Sequence, residues 1–124
     1  MPDSPDYPSQ LRSVLHGAAE RMDVDGYLSV FTDDVRFRVG SWPPARGKDS
    51  VGDLLKIIML GISGVHYQVL NEWKVDDEII HELNVRYTRR NGSQVSIRQA
   101  AILRLRNGLI CEYDAYTDLQ PLFT

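Results

Sequence analysis

Three turn signals in the second half of the chain constrain its fold more than any other feature. Asp76-Asp77, Asn91-Gly92 and Asn107-Gly108 separate four runs rich in apolar residues, at 65–75, 78–90, 94–106 and 109–119. Asn-Gly between alternating hydrophobic residues is a strong short-range signal for a β-hairpin. The sequence therefore predicts a four-stranded antiparallel meander, and the residues before it have to cover one of its faces.

Burial decides the register of each hairpin, because a slip of one residue moves every side chain to the other face. At both Asn-Gly turns, three-residue loops with glycine in the left-handed conformation bring the apolar residues onto one face of the sheet, whereas two-residue loops do not. This register places Ala101 opposite Tyr113. A two-residue loop at the first turn places Glu72 opposite His81, with His66 on the same face.

The two faces of the predicted sheet differ in character. The inner face is mostly apolar, with a few polar residues set into it. The outer face mixes aromatic, aliphatic and charged side chains, and a monomer rarely exposes so large an apolar patch. Aromatic residues with arginine are enriched at protein contacts. We therefore expect a homodimer through an outer face made of Tyr67, Trp73, Ile80, Ile102 and Tyr116 with Arg86, Arg98, Asp114 and Asp118.

The first half predicts helices and one strand. Apolar spacing predicts a helix over 9–22 with Ser9 as its N-cap, and a short helix over 26–31 capped by Asp25. Alternation predicts a strand over 35–39, followed by a loop at 40–47. Ser50 with Asp53 resembles a capping box that opens a third helix. The residues predicted to line the core or pocket wall are Val35, Phe37, Val39, Leu54, Ile58, Leu83, Val85, Ile97 and Leu103.

These elements predict a single α+β domain over 1–124, with residues 1–8 flexible. Its cone-shaped, curved antiparallel sheet packs on the N-terminal helices. Two layers that do not fully close leave a pocket between them, a common place for a small ligand.

Composition excludes several classes of function. The net charge of −3 provides no overall basic field for nucleic acid. Cys111 is the only cysteine, and neither a zinc-ligand spacing nor a glycine-rich phosphate loop is present. The N-terminus lacks the pattern of a signal peptide, and the longest apolar run, 57–60, is too short to span a membrane. We expect a cytoplasmic protein without metal or cofactor.

Three stretches resemble the nuclear transport factor 2-like superfamily, and within it the SnoaL-like and ketosteroid-isomerase-like proteins. They are 23–28 (DVDGYL) leading into 31–35 (FTDDV), 46–51 (RGKDSV) before the third helix, and 108–113 (GLICEY) running into 116–119 (YTDL). The resemblance covers nearly the whole chain and implies the cone-shaped fold. Because this fold hosts isomerases, cyclases, dehydratases, epoxide hydrolases and non-enzymes, it does not fix the function.

The catalytic residues of two relatives are absent. The positions matching the ketosteroid isomerase tyrosine, general base and oxyanion donor are Ala18, Val39 and Ala101. The Arg and Asp of limonene-epoxide-hydrolase-like members are replaced by Leu83 and Val85. Scytalone-dehydratase-like members carry an early histidine in the strand after the third helix, which His66 resembles.

Candidate chemistry therefore rests on His66 and on the pair of His81 and Glu72. A neutral imidazole moves protons at neutral pH, and a carboxylate beside it raises its pKa and fixes its tautomer. The alternative for His66 is a core histidine bonded to Tyr87 or to a backbone carbonyl, and the alternative for His81 and Glu72 is an ordinary cross-strand pair. The expected ligand-orienting residues are Gln68, Tyr87, Gln99, Tyr113 and Thr117, with Trp42 as an aromatic wall or lid.

We expect a small, largely apolar ligand and metal-free acid–base chemistry on a carbonyl, hydroxyl or polyketide-like substrate, as a dehydratase, isomerase or cyclase. The alternatives are a non-catalytic protein that binds small molecules and a protein-interaction module of the same fold.

Overall fold

The computed structural model describes residues 7–123. The elements in chain order are α1 (Tyr7–Glu20), α2 (Val24–Leu28), β1 (Phe31–Val39), β2 (Ala45–Arg46), α3 (Lys48–Met59), β3 (Ile62–Val75), β4 (Glu78–Arg89), β5 (Gln94–Arg106), β6 (Leu109–Tyr116) and a 3-10 helix (Gln120–Phe123). The predicted flexibility of residues 1–8 mostly concerns 1–6, which lie outside the described residues. Tyr7 and Pro8 form the start of α1.

The strands form one curved, six-stranded sheet in the order β2-β1-β6-β5-β4-β3. The pair β1–β6 is parallel and the other neighbouring strands are antiparallel. Helices α1 and α3 contact this sheet, and the hydrophobic core lies between the two layers. The predicted α+β fold and meander are confirmed. All nine predicted core residues are buried or, for Leu54 and Ile58, partly buried against the core.

Two of the three hairpins have the predicted loop. Val75 pairs with Glu78 across the Asp76-Asp77 turn, which makes a two-residue loop. The Arg89 amide donates to the Ser93 carbonyl at 2.8 Å, and Gly92 has a φ of 88°. The second loop thus has three residues with a left-handed glycine, as expected.

The register predicted for the third hairpin is wrong. Arg106 pairs with Leu109 across a two-residue loop, in which Asn107 and Gly108 both have positive φ, as in a type I′ turn. A β-bulge opposite Arg104 and Leu105 then places one additional residue, Cys111, in β6. Beyond the bulge the apolar side chains of β6 return to the inner face. The predicted register would have placed Cys111 on the inner face, opposite Leu103, whereas in the structure it is half-exposed.

A second bulge, at Leu70 in β3, overturns part of the predicted inner face. Between Val69, which pairs with Leu83, and Asn71, which pairs with Glu82, the register shifts by one residue. On the C-terminal side Glu72 still pairs with His81. On the N-terminal side of the bulge, Tyr67 faces inward and its neighbours His66 and Gln68 face outward. The prediction that His66 and Gln68 lie on the inner face and Tyr67 on the outer face is therefore wrong.

The predicted helix caps are also corrected. Ser9 lies inside α1 and Ser50 inside α3. The Asp23 carboxylate, and not that of Asp25, accepts the Gly26 amide at 3.0 Å and caps α2. Gly47 precedes α3 and has no side chain with which to cap it. Its φ of 85° and the hydrogen bond from its amide to the Val35 carbonyl fix the turn from β2 into the helix. None of the described helices is long and apolar enough to cross a bilayer.

Candidate functional site: a tyrosine-lined cavity

A cavity of about 70 Å³ lies between the helices and the inner face of the sheet. About 10–15 Å³ of such space holds one water, so this volume corresponds to several waters or a small organic group. Its walls are mostly aliphatic and come from α1, α3 and the sheet. The polar groups that reach the cavity belong to Tyr27, Tyr67, Tyr87, Tyr113 and Gln99. We call this space the tyrosine cavity; none of its described lining residues is acidic, basic or a histidine.

Three of these polar groups form a hydrogen-bonded network. Gln99 Nε2 donates to the Tyr113 hydroxyl at 3.3 Å, and the Tyr27 and Tyr113 hydroxyls are hydrogen-bonded to each other. A hydroxyl has two acceptor lone pairs and one donor proton. One phenolic proton of this pair is used in the bond between the two hydroxyls, and no described protein acceptor takes the other. That proton is therefore available to an acceptor in the cavity.

Burial keeps the four tyrosines protonated. Burial raises the pKa of Tyr113, and the hydrogen bonds with Tyr27 and Gln99 only partly oppose it. Burial likewise raises the pKa values of Tyr27, Tyr67 and Tyr87, with smaller contributions from neighbouring tyrosines. At neutral pH the cavity therefore presents phenolic donors in an apolar wall.

A group of ionisable residues, which we call the imidazole cluster (Arg12, His16, Glu72 and His81), lies between α1 and the sheet, with its two histidines buried. His81 is 1% exposed, and its Nε2 is 2.8 Å from Glu72 Oε2. Arg12 forms an ion pair with the other Glu72 oxygen at 2.8 Å. His16 contacts His81 edge-on at a centroid distance of 5.4 Å. The predicted pair of His81 and Glu72 is thus present in the structure.

Both imidazoles of this cluster are held in the neutral form. Burial lowers the pKa of His16 to about 3, and the charges of His81 and Arg12 act in the same direction. Burial also lowers the pKa of His81, with Glu72 opposing and Arg12 adding to the shift. His81 Nδ1 and His16 Nε2 are buried without a hydrogen-bond partner. With Glu72 accepting the Nε2 proton of His81, the Nδ1 lone pair is left free.

One stacked ring joins the imidazole cluster to the tyrosine cavity. His16 stacks on Tyr67 at a centroid distance of 4.2 Å and an interplanar angle of 8°, and Tyr67 lines the cavity. His81 itself does not line the cavity. The two groups are neighbours, and the cluster does not form part of the cavity wall.

The structure divides the candidate site residues into separate groups. Tyr87, Gln99 and Tyr113 lie together in the tyrosine cavity. Trp42 and Thr117 line an outer groove beside it. His81 and Glu72 lie in the imidazole cluster.

The remaining two candidates, His66 and Gln68, are exposed as a result of the bulge at Leu70. The His66 side chain is 57% exposed, and its Nδ1 lies 3.2 Å from Glu20. Its expected position in the pocket is therefore wrong, because the register shift turns it to the other face.

Sequence reasoning missed His16, Tyr27 and Tyr67. A signal for His16 was present: Arg12, His16 and Glu20 follow a spacing of four, so they form a polar stripe beside the apolar stripe of α1. All three contact β3: Arg12 through Glu72, His16 through Tyr67, and Glu20 through the Tyr67 amide at 2.9 Å. Among residues 7–123, no group of three or more His, Cys, Asp or Glu side chains is arranged to hold a metal ion.

Comparison with solved structures places this architecture in the nuclear transport factor 2-like fold. A protein of that class of unknown function from Burkholderia pseudomallei K96243 is 18% identical, covers 94% of this chain and 95% of its own, and has a TM-score of 0.83. A proposed SnoaL-like polyketide cyclase from Jannaschia sp. CCS1 is 17% identical, with coverages of 100% and 95% and a TM-score of 0.80. An LEH-like epoxide hydrolase from M. tuberculosis is 16% identical, with coverages of 98% and 90% and a TM-score of 0.79.

The family follows from the sequence. The SnoaL-like domain family matches residues 11–113, and the chain belongs to that family. A search of curated proteins finds no significant match. At these identities the solved neighbours establish the fold alone.

Proposed function

We propose that this protein binds a small, largely apolar molecule that carries a carbonyl or hydroxyl oxygen, and that the ligand occupies the tyrosine cavity. The observation that carries the proposal is the hydrogen-bonded pair of Tyr27 and Tyr113, which accepts a bond from Gln99 and has one phenolic proton free in an apolar space. A buried donor without an acceptor is costly, so a ligand oxygen placed there gains a strong interaction.

The rest of the cavity supports the same ligand class. Aliphatic walls favour an apolar body through the hydrophobic effect. The lining has no described cationic side chain to compensate a ligand carboxylate or phosphate, and burying an unpaired charge is unfavourable. Tyr27 and Gln99 act as positioning residues, because their hydrogen bonds orient the Tyr113 hydroxyl and strengthen it as a donor.

Acetophenone tests this proposal, because it combines one apolar ring with a carbonyl acceptor. Titration of the ¹⁵N-labelled protein, followed by amide chemical shifts, should show saturable changes around β5 and β6. Tyr113→Phe should weaken binding roughly tenfold, the scale of one buried hydrogen bond. Tyr116→Phe is the matched control, because Tyr116 is 62% exposed. Absence of saturable binding, or equal affinity in the Tyr113→Phe variant, would contradict the proposal.

The second candidate function is metal-free acid–base catalysis on such a ligand, as a dehydratase, isomerase or cyclase of carbonyl or polyketide-like substrates. The buried pair of His81 and Glu72 favours it, because a neutral imidazole with a free Nδ1 and a carboxylate on Nε2 is the arrangement of a general base. In this scheme Tyr113 would donate to the oxygen that gains negative charge. Tyr67 and His16 separate His81 from the cavity, so binding without catalysis is the first proposal.

Exchange of α-protons with solvent distinguishes the two functions without knowledge of the natural substrate. In D₂O, a general base acting on bound acetophenone removes a methyl proton and returns deuterium, which NMR detects directly. Catalysis predicts faster exchange in the presence of the protein, and a loss of at least about 100-fold in His81→Gln. His66→Gln is the control, because His66 lies exposed on the other face. Saturable binding with no acceleration of exchange would leave only the binding function.

A further inference from the structure

A second space, the outer groove, adjoins the tyrosine cavity at the end of the sheet. It has a volume of about 380 Å³ and is lined by residues from the β1–β2 loop, the segment after β6 and the 3-10 helix. Trp42 and Phe123 form its aromatic part, with ring centroids 6.3 Å apart and an interplanar angle of 39°. These side chains are 37% and 51% exposed, so each presents part of its ring to the open groove.

The groove and the cavity meet at two shared side chains. Val39 at the end of β1 and Leu119 after β6 line both spaces. Each is almost fully buried, at 7% and 5% exposed, so they form a wall common to the two spaces. The two spaces therefore lie on either side of the same pair of side chains, and a ligand that occupies both has to pass Val39 and Leu119.

Hydrogen bonds fix both sides of the groove. The Gly40 amide donates to the Ala115 carbonyl at 2.8 Å, and the Trp42 amide donates to the Val39 carbonyl at 3.1 Å. On the opposite side, Thr117 Oγ1 donates to the Arg98 carbonyl at 3.1 Å. Binding in the groove therefore requires little ordering of the backbone, which reduces its entropic cost.

The charge of the groove disfavours a ligand whose end is negatively charged. Asp118 is the one charged residue among the described groove-lining residues. Its Oδ1 accepts the Gln120 amide at 2.9 Å, which holds the carboxylate in place. A negatively charged group in the groove would meet this carboxylate with no described cation beside it, and would be repelled.

We infer that the ligand is elongated, with an oxygen-bearing end at Tyr113 and a planar apolar end, neutral or cationic, against Trp42 and Phe123. The inference rests on the proposed function, because it extends the same ligand out of the cavity. It adds a specificity-determining surface, in which Trp42 and Phe123 select for length and for an aromatic or other flat end.

Three ketones that differ in length and in terminal charge test the inference by the same NMR titration. Acetophenone has one ring, 4-acetylbiphenyl adds a second ring in line, and 4-(4-acetylphenyl)benzoic acid adds a terminal carboxylate. We expect 4-acetylbiphenyl to bind roughly tenfold more tightly than acetophenone, the scale of one aromatic contact. The terminal carboxylate should remove this gain. Trp42→Ala should also remove it and leave acetophenone binding unchanged, and Trp73→Ala, which alters an exposed tryptophan elsewhere, should change neither.

The outcomes separate the inference from the proposed function. Equal affinity for acetophenone and 4-acetylbiphenyl, or a gain that persists in Trp42→Ala, overturns the inference while the cavity proposal stands. Saturable binding of neither ketone overturns both. Circular dichroism of each variant shows that it is folded before the titrations are compared.

Discussion

Protonation of His16 should destabilise the fold at mildly acidic pH. Burial lowers the pKa of this imidazole from 6.5 to about 3, and the side chain is 7% exposed between α1 and β3. It is surrounded by Arg12 on its own helix, Glu72 on β3 and His81 on β4. Since the folded pKa lies below the unfolded one, the unfolded chain binds more protons at pH 3–6.5.

The sign and size of the effect follow from this difference. Stability from the neutral imidazole is fully present above the unfolded pKa and is lost as the pH falls towards the folded pKa. Between pH 7 and pH 5, linkage gives a loss of about 2 kcal/mol from His16. Around pH 5 the slope is close to one proton, or about 1.4 kcal/mol per pH unit. The lowered pKa of His81 acts in the same direction.

Urea titrations at pH 7, 6 and 5, followed by far-UV circular dichroism, give the free energy of unfolding at each pH. His16→Phe keeps a ring stacked against Tyr67 and removes the titrating group. Its loss of stability between pH 7 and 5 should be smaller than that of the natural chain by about 2 kcal/mol. His66→Gln, which alters an exposed histidine, should retain the full loss. Equal pH dependence of the natural chain and His16→Phe would refute the reasoning.

Three further predictions follow from the fold. Leu103→Ala should lower the free energy of unfolding by roughly 2–5 kcal/mol in urea titrations, because the side chain is fully buried; a loss below about 0.5 kcal/mol would contradict its core position. Gly40→Ala should lower the melting temperature, because φ is 56° and a Cβ would lie 2.7 Å from the Thr117 carbonyl oxygen; an unchanged melting temperature would contradict this. The homodimer stays a prediction: sedimentation at micromolar concentration should show a dimer that Trp73→Glu dissociates, whereas a native monomer would exclude it.

The structure changes the outer surface through which the dimer is predicted to form. Tyr67 belongs to the tyrosine cavity and is lost from the expected outer patch. Trp73 and Tyr116 stay exposed, at 49% and 62%. Arg98 on the same face already pairs with Glu82 of its own chain at 3.0 Å. The expected contact therefore depends on the aromatic side chains more than on arginine.

The sequence by itself determined the parts of the fold that local chemistry controls. Alternation and turn residues were sufficient for the meander, for the two-residue loop at Asp76-Asp77 and for the left-handed Gly92. Glu72 and His81 could be paired from sequence because they lie close to that turn, where few residues separate the loop from the pair. Gln99 and Tyr113 could be placed on the inner face from the two-residue alternation of a β-strand alone. The predicted pairing between their strands was nevertheless wrong, because the loop at the third turn has two residues and not three.

Tertiary structure alone decided the bulges at Leu70 and Cys111, and with them the composition of the site. A bulge costs little locally and has no strong sequence signal, so contacts across the layers decide where it forms. Here Arg12, His16 and Glu20 of α1 contact β3 on both sides of Leu70, and Tyr67 faces inward beneath His16. These contacts join residues far apart in sequence, which is why a pattern read along one strand placed His66 in the pocket and Tyr67 outside it.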